Sequence, residues 1–375
     1  MENEKIVLFG AGRRKEIFIK LIEKYGGFDI VEIWDNNSRF WGNEVLVNNN
    51  NNVPIRQPHK QKEYSVVIST DAYFYEIKRQ LVDELDIKEN LIKPSQYLFK
   101  NFKAEIIDKY KNSADKEIVE ICDYLKNHEL DMFNGQIKKE YPDSMFDIFR
   151  DENNGLLYSY WMDKKIYLKP DIQSEPLAKE YLCTLCKEQD EHSPHSYKME
   201  QLSLTDQDVV IDAGAAEGFF ALQIIDKVKK VYLIESDEQW LKALKYTFQP
   251  YSHKVVIVPK WLGSRNDENM ISIDRINNED NVSLVKLDIE GAESDAIAGG
   301  EKTFTSSQKM LVIACTYHAT EDADKFYEYF HDKGFDTEFS KGYLFVGGLE
   351  VVKPELRKGV LIAKKNGECY GKNGE

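Results

Sequence analysis

A loop of small residues follows an apolar run in the second half of the chain. The run Val209–Ile211 is typical of a buried strand, and a helix is predicted from Phe219 onward. Small side chains between the two let the backbone turn sharply and approach a ligand closely. The residues predicted to form this ligand-binding turn are Asp212, Ala213, Gly214, Ala215, Gly218 and Phe219.

Acidic residues indicate which ligand the turn would take. The next predicted strand, Val231–Ile234, is followed by Glu235 and Ser236, where nucleoside-binding α/β folds hold ribose hydroxyls. Asp212 and Glu217 would face a pyrophosphate unfavourably, but they suit a cationic ligand that carries an amino group. S-adenosylmethionine (AdoMet), with its sulfonium and ammonium charges, is such a ligand. The pattern therefore favours AdoMet over a dinucleotide.

An aromatic residue follows the third predicted strand of this region, Lys254–Val258. The indole of Trp261 could stack on an adenine or wall it off. It could equally pack in the core, and the sequence leaves both alternatives open.

Carboxylate and histidine side chains follow the later strands. Asp288 comes directly after the predicted strand Val282–Leu287, and His318 follows the strand Met310–Ala314. Ligands bind at the carboxyl edge of open parallel sheets, so these residues should lie at the site. A positioned histidine or carboxylate can move a proton during a reaction, which typically accelerates such a step by roughly 10²–10⁴-fold. The sequence therefore predicts acid–base chemistry beside the ligand turn.

His318 and His195 are the candidate bases, and Asp288 is predicted to orient the acceptor. His318 could instead be a surface residue at a strand end, and His195 a hydrogen-bonding loop residue. A divalent metal held by Asp288 and its neighbours is a further alternative, for which the sequence offers no complete ligand set.

These motifs resemble the FkbM-type methyltransferase family. The resemblance rests on residues 209–222, on residues 282–298 and on the Tyr317-His318 edge, and it spans about residues 150–365. The Lys-x-Asp-x-Glu-Gly segment of the family matches Lys286, Asp288, Glu290 and Gly291. The resemblance implies that the Asp212–Gly218 turn and Glu235 bind AdoMet, and it adds Lys286 to the candidate catalytic residues.

The resemblance implies O-methylation, with a hydroxyl of a sugar, polysaccharide precursor or related metabolite as the acceptor. Two other functions stay open from the sequence. The first is a nucleotide-sugar or NAD-binding oxidoreductase, and the second is a non-catalytic binding module that keeps only the methyltransferase shape. Intact Asp212, Gly214, Gly218 and Glu235 argue against the second.

The elements that must position these residues alternate between strand and helix from Val209 onward, and Tyr343–Val346 with Gly359–Ala363 is typical of a terminal hairpin. We therefore predict an α/β fold of the class I methyltransferase type, with a seven-stranded, mostly parallel, doubly wound sheet closed by an antiparallel pair. Asp151–Leu168, before it, is predicted as a hairpin that turns at Asp163-Lys164.

The first part of the chain predicts a smaller α/β domain. Strand and helix signals alternate over Ile6–Phe9, Arg14–Lys24, Ile30–Trp34, Ser65–Ser69 and Tyr73–Leu85, and the asparagine run 48–52 is predicted as a mobile loop. The predicted domains are a Rossmann-like domain at residues 1–100, a helical connector at 101–150 and a methyltransferase domain at 151–375.

A second glycine turn, Gly10-Ala11-Gly12, follows the first strand, and Asp35 ends the second. The unit thereby resembles the small Rossmann-like domains attached to bacterial polysaccharide-modifying enzymes. The dinucleotide fingerprint is incomplete, because Lys15 stands where a third glycine should allow close packing. Arg13, Arg14 and Lys15 could hold a phosphate or a nucleotide-sugar, or they could form a solvated helix cap.

Composition limits the remaining possibilities. A formal net charge of −15 and a pI of about 5.1 repel phosphate backbones, so we predict no nucleic-acid partner. The N-terminal apolar stretch is too short for a secretory signal, and no segment is apolar enough to span a bilayer. Five cysteines suit a reducing cytosol, so the predicted location is cytoplasmic. Cys183 and Cys186 are predicted to pack within a helix, and an oligomer stays open.

Overall fold

Two compact units divide the chain in the computed structural model. They comprise Met1–Gly135 with Phe345–Glu355, and Gln136–Leu344 with Leu356–Glu375. Each unit has its own sheet and its own hydrophobic clusters. The predicted domain bounds, at residues 1–100, 101–150 and 151–375, stay a prediction. The structure describes residues 3–12, 14–47, 51–70, 73–346 and 354–365.

A six-stranded sheet forms the core of the first unit. Its order is β3-β4-β2-β1-β5-β6, and neighbouring strands are parallel except in the β3–β4 hairpin. The predicted strands and helices of this region are confirmed. The elements are β1 (Glu4–Phe9), α1 (Arg14–Tyr25), β2 (Phe28–Trp34), β3 (Glu44–Val47), β4 (Asn51–Arg56), β5 (Ser65–Ile68), α2 (Phe74–Asp83), β6 (Ile92–Pro94), α3 (Lys100–Tyr110) and α4 (Lys116–Leu125).

Part of the asparagine run 48–52 belongs to a strand and not to a loop. Asn51 and Asn52 begin β4, where they pair with Val47 and Leu46 of β3. The pairing of a hairpin overrides the weak strand propensity of asparagine. The prediction of a loop is therefore wrong for these two residues, and Asn48–Asn50 lie outside the described residues.

The turn after β1 is held by the carboxylate that ends β2. The backbone N–H of Ala11 donates to Asp35 Oδ2 at 2.7 Å. Gly10 has a φ of +122°, and a Cβ there would lie 2.1 Å from Ser69 Oγ. Lys15 lies in α1 and pairs with Glu16 at 3.8 Å. Arg13 and the side chain of Arg14 lie outside the described residues, so the two alternatives for this basic cluster stay open.

A small antiparallel sheet and a long helix begin the second unit. The three strands are β7 (Phe149–Arg150), β8 (Leu157–Trp161) and β9 (Lys164–Tyr167), and the helix is α5 (Glu175–Glu188). The predicted hairpin is confirmed, but its turn lies at Met162-Asp163, whose φ values of +49° and +62° are those of a two-residue hairpin loop. Cys183 and Cys186 are buried in the hydrophobic cluster around α5, which agrees with the packing interpretation.

A seven-stranded sheet forms the centre of the second unit. Its order is β12-β11-β10-β15-β16-β20-β17, and β20 is the one strand of this sheet that runs opposite to the others. This order confirms the predicted fold of class I methyltransferases. The elements are β10 (Val209–Ala213), α6 (Phe219–Ile224), β11 (Lys230–Ile234), α7 (Glu238–Thr247), β12 (Val255–Val258), β13 (Trp261–Leu262), β14 (Met270–Ile271), α8 (Ile273–Asn277), β15 (Leu284–Leu287), α9 (Glu293–Ala298), α10 (Glu301–Ser306), β16 (Met310–Cys315), α11 (Asp322–Asp332), β17 (Asp336–Phe339), β18 (Leu344–Phe345), β19 (Leu356–Arg357) and β20 (Val360–Lys365).

The predicted terminal hairpin is wrong in one of its two strands. Residues 360–365 form β20 as predicted, but the strand beside it is β17, Asp336–Phe339, and β18 lies outside the main sheet. β17 has the sequence Asp-Thr-Glu-Phe and stands at the sheet edge, so it needs little apolar surface. Because β17 is polar, the search for apolar runs in the sequence did not predict it.

Apolar side chains explain why the central strands lie where they do. β10, β15 and β16 are almost entirely buried, and their residues divide between hydrophobic clusters on the two faces of the sheet. Continuous apolar runs are typical of parallel strands that are covered on both sides. Among the described residues, no helix is both long enough and apolar enough to cross a membrane.

We expect residues 136–375 to fold without the first unit, because they contain a complete sheet with its own hydrophobic clusters. The purified fragment should show a cooperative thermal transition by circular dichroism, and AdoMet should raise its melting temperature. A fragment that stays unfolded while the full chain melts cooperatively would contradict the expectation.

Candidate active site

The turn after β10 packs tightly against the end of β15. Gly214 has a φ of +69°, and a Cβ there would lie 1.8 Å from the carbonyl oxygen of Asp288. Gly218 has a φ of +85°, and a Cβ there would lie 2.3 Å from the ring of Phe248. Glycine is therefore required at both positions. At Gly218 the close neighbour is a core side chain, so glycine is required there for packing and not for contact with a ligand.

A buried ion pair joins the two central strands beneath this turn. Asp212 of β10 lies directly opposite Lys286 of β15, and Lys286 Nζ is 3.1 Å from Asp212 Oδ1. Both side chains are at least 96% buried, being only 4% and 1% exposed. The ammonium also donates to the carbonyl oxygens of Ala213 and Gly214, at 3.2 and 2.8 Å. Lys286 thus fixes the backbone of the ligand turn.

Electrostatics act on both members of this pair: burial raises the pKa of Asp212, and the charge of Lys286 opposes that rise. Burial alone would lower the pKa of Lys286, but the charges of Asp212 and Asp288 raise it above its ordinary value. Asp212 is fully buried and is not among the residues that line the cavity. The expectation that its carboxylate acts on a cationic ligand stays a prediction, and in the structure its charged partner is Lys286.

Glu235 holds the turn from the neighbouring strand. Its Oε2 accepts the N–H of Ala216 at 2.9 Å, and its Oε1 accepts those of Ser236 and Asp237, both at 2.8 Å. A carboxylate has about four acceptor positions, so at least one lone pair remains for a ribose hydroxyl. Glu235 and Ser236 both line the cavity, as the predicted ribose site requires.

A cavity of about 440 Å³ opens at the carboxyl ends of β10, β11, β15 and β16. Its volume lies in the range of small-molecule sites. Acidic side chains outnumber the basic ones, which are Lys260 and the ion-paired Lys286. The acidic residues that line it are Glu188, Glu217, Glu235, Asp237, Asp288 and Glu290.

Two of these carboxylates lie on the α5 side of the cavity. Glu217 is buried and accepts the hydroxyl of Tyr181 at 2.5 Å, and burial raises its pKa. Glu188 is the last residue of α5, and burial together with the charges of Asp288 and Glu217 raises its pKa to about 8. A cationic ligand would relieve the repulsion among these acids.

Asp288 is the centre of a polar cluster at the other end. Its Oδ2 accepts the hydroxyl of Tyr197 at 2.7 Å and lies 3.6 Å from His195 Nε2. His195 Nε2 is also 3.1 Å from the hydroxyl of Tyr317. Burial alone would raise the pKa of Asp288, but the charges of Lys286 and the two nearby histidines hold it well below its usual range. Asp288 therefore stays ionised.

The two predicted bases differ in position. His195 is 4% exposed and lines the cavity, and burial lowers its pKa. His318 is absent from the cavity lining and lies behind Asp288, with Nε2 3.7 Å from Asp288 Oδ1. Its Nδ1 lies 2.8 Å from Glu293 Oε1. Burial alone would lower the pKa of His318, but Glu293 and Asp288 raise it.

Trp261 stands at the edge of the cavity, where 57% of its surface is exposed. The alternative that it packs in the core is therefore wrong. Its place in the cavity lining agrees with contact to an adenine, which stays a prediction.

The structure brings most of the predicted site residues to one cavity. The predicted residues that line it are Gly214, Ala215, Phe219, Glu235, Ser236, Trp261, Lys286, Asp288 and His195, whereas Asp212, Ala213, Gly218 and His318 are not part of the lining. Sequence reasoning missed Tyr181, Glu188 and Tyr317. Tyr317 adjoins His318, and Glu188 opens the polar stretch before β10, so both positions carried a signal. Tyr181 carried none, because its partner Glu217 is remote in sequence.

Two groups of side chains have the composition of a metal site. They are His195, Asp288 and Cys315, and Asp288, Glu293 and His318, each with its potential ligand atoms within 4.8 Å of one another. The structure thus offers ligand sets that the sequence did not reveal.

Comparison with known proteins agrees with this geometry. The family model described as the methyltransferase FkbM domain matches residues 262–337. The matched segment includes Lys286, Asp288 and His318, whereas the glycine turn precedes it. No match is found among curated proteins. The segment confirms the predicted resemblance, and the chain is an AdoMet-dependent methyltransferase.

Solved structures with some similarity include several methyltransferases. Precorrin-6y C5,15-methyltransferase of Geobacter metallireducens GS-15 is 14% identical, with 44% of this chain and 85% of that chain covered and a TM-score of 0.33. An rRNA methylase of Streptococcus thermophilus is 14% identical, with coverage of 44% and 90% and a TM-score of 0.28. TYW2 of M. jannaschii in complex with AdoMet is 14% identical, with coverage of 58% and 89% and a TM-score of 0.33. Similarity this low carries no information about the acceptor.

We expect Lys286→Met to destabilise the protein by about 3–5 kcal/mol, because it leaves the carboxylate of Asp212 buried without its counter-charge. The free energy of unfolding should be measured in urea. Adding Asp212→Asn should recover part of the loss. The exposed pair of Lys62 with Asp86, whose side chains are 73% and 75% exposed, gives a matched control, since Lys62→Met should cost less than about 1 kcal/mol. Equal losses in the two single variants would contradict this view of the pair.

Proposed function

We propose that this methyltransferase transfers the methyl group of AdoMet to a hydroxyl of a sugar, a polysaccharide precursor or a related metabolite. The observation that carries the proposal is the pairing of His195 with Asp288 on the wall of the cavity that also contains the ligand turn. A buried histidine beside an ionised carboxylate suits the removal of a proton from an alcohol.

The cavity fits AdoMet by charge. Glu188 and Glu217 stand on its α5 side, with no free lysine among the residues that line it, because Lys286 is paired and Lys260 donates to the Asp267 carbonyl. We assign the ammonium group of AdoMet to Glu188 and Glu217. The ribose hydroxyls go to Glu235, and the adenine to Trp261. AdoMet supplies an activated methyl group when it is bound.

His195 is the proposed base. In the reaction, the bond between the acceptor oxygen and the methyl carbon forms while the bond between that carbon and sulfur breaks. The proton of the acceptor hydroxyl passes to His195, and Asp288 orients the acceptor and stabilises the imidazolium. Lys286 is a positioning residue, because it touches the turn and Asp212 and holds them in place.

The charge of the cavity also favours an uncharged acceptor. Asp288 and Glu290 line the acceptor end and would repel a phosphate backbone. Carboxylates are good hydrogen-bond acceptors for the several hydroxyls of a sugar. We therefore retain a sugar-type acceptor and the absence of a nucleic-acid substrate as proposals. The cytoplasmic location, which was predicted from the cysteine content, also stays a proposal.

A labelling experiment tests the function. The protein is incubated with AdoMet carrying a radioactive methyl group and with separate pools of sugars, nucleotide-sugars, hydroxylated metabolites and RNA. Label that enters sugar or metabolite pools as an alkali-stable ether agrees with the proposal. Label that enters only RNA, or a nitrogen or carbon atom, overturns it.

The assignment of Glu188 predicts that AdoMet binding releases a proton. The pKa of Glu188 is raised to about 8, so its carboxyl is mostly protonated at pH 7 in the free protein. A bound ammonium favours the carboxylate, so affinity should rise with pH through about 8 and level off above it. The pKa of Glu188 depends on the charges of four nearby groups, Asp288, Glu217, Lys286 and Glu290. The charge of Glu188 in turn raises the pKa values of Tyr181 and Tyr317.

Calorimetry at pH 7 in two buffers of different ionisation enthalpy measures this release. The wild-type protein should release about one proton more per AdoMet bound than Glu188→Gln does. Using the difference between the two proteins cancels the titration of AdoMet itself. Equal proton release by both would exclude Glu188 from this role.

The assignment of the base predicts a loss of turnover without a loss of AdoMet affinity. His195→Gln should lower the rate on the acceptor found by labelling by roughly 10²–10⁴-fold. AdoMet affinity, measured by calorimetry, should change little. His253→Gln is the matched control, since His253 is exposed and is not part of the cavity lining. Wild-type turnover in His195→Gln would remove this residue from the mechanism.

A further inference from the structure

His318 presents a buried nitrogen with no hydrogen-bond partner. Its side chain is 9% exposed, and its Nε2 has no partner among the described residues. Its other nitrogen, Nδ1, lies 2.8 Å from Glu293 Oε1, so that nitrogen carries a proton and donates it. In the neutral ring the lone pair is then on Nε2.

Two carboxylates face this lone pair. Asp288 Oδ1 and Glu290 Oε2 each lie 3.7 Å from His318 Nε2, which is too far for a hydrogen bond. A lone pair and two anionic oxygens repel one another unless a cation lies among them. The position calls for either a proton on Nε2 or a metal ion.

We propose that His318 Nε2 and Asp288, from the group that also contains Glu293, bind a divalent cation together with Glu290, which lies outside both groups. The Glu293 carboxylate orients the imidazole from behind, as carboxylates do for histidine ligands of metals. One nitrogen and two oxygens suit Mn²⁺ or Zn²⁺ better than Ca²⁺. The side chain of Glu290 is 90% exposed, so it is free to move toward the ion.

The other group of potential metal ligands, His195 with Asp288 and Cys315, is the poorer candidate. His195 Nε2 is already within hydrogen-bond distance of the Tyr317 hydroxyl, at 3.1 Å. Burial raises the pKa of the Cys315 thiol well above its ordinary value, and a metal binds the thiolate. His318 therefore offers the nitrogen that has no hydrogen-bond partner in the described part of the chain, and His195 keeps its proposed role as the base without binding the ion.

The ion would stand at the acceptor end of the cavity, because Asp288 and Glu290 line that cavity. Protein side chains fill only part of its coordination shell, and an acceptor hydroxyl could fill an open position and lose its proton more readily. This role rests on the proposed function, whereas the binding of the ion does not.

Manganese binding to the full-length protein tests the inference. After treatment with a chelator, the protein is titrated with Mn²⁺ while the electron paramagnetic resonance signal of the free ion is followed. We expect one ion per chain, and His318→Ala and Glu290→Gln should each weaken binding at least tenfold. Glu290→Gln changes an exposed side chain, so its folding is not in question. His253→Ala is the matched control and should bind as the wild type does.

Pulsed electron paramagnetic resonance then identifies the ligand. Bound Mn²⁺ should show coupling to an imidazole nitrogen that is lost in His318→Ala. No binding at millimolar Mn²⁺, or binding unchanged in both variants, overturns the site and leaves a proton on Nε2. AdoMet affinity is measured separately on metal-free protein and on protein with Mn²⁺. AdoMet binding without Mn²⁺ binding refutes the metal site alone, whereas Mn²⁺ binding with no AdoMet binding in either sample refutes the proposed function.

Discussion

The buried ion pair between Asp212 and Lys286 is the interaction on which the rest of the site depends. It joins neighbouring strands at the point where both end, and the same ammonium binds two carbonyl oxygens of the ligand turn. Two charges inside a sheet are tolerated only when they compensate each other. The pair thereby ties the turn to the core, and it removes a lysine charge that would otherwise repel a cationic ligand.

An excess of negative charge follows from that neutralisation. With Lys286 compensated, the carboxyl groups of Glu188, Glu217 and Asp288 dominate the cavity, and burial together with the charges of Asp288 and Glu217 raises the pKa of Glu188 to about 8. A cation relieves this repulsion at either end. On the α5 side we assign it to the ammonium of AdoMet, and beside His318 to a divalent metal. One electrostatic condition thus links cofactor binding with the acceptor site.

Errors in the predicted elements have physical causes. β17 is polar because it lies at a sheet edge, so it lacked the apolar run by which the other strands were recognised. Asn51 and Asn52 are poor strand residues that pair within a hairpin all the same. Asp212 and His318 were both predicted to lie at the site, yet neither is among the residues that line the cavity, because each side chain pairs with a residue of another element.

The sequence by itself determined the fold class, the strand ends that carry the site and the type of reaction. Apolar runs specify buried strands, and glycine is required where a positive φ coincides with close packing, as at Gly214. The tertiary structure alone decided which charges meet. Tyr181 with Glu217, His318 with Glu293 and His195 with Tyr317 are pairs from separate elements, and no local pattern encodes them. Burial and partner choice set the charge of each group, and both arise only when the chain is packed.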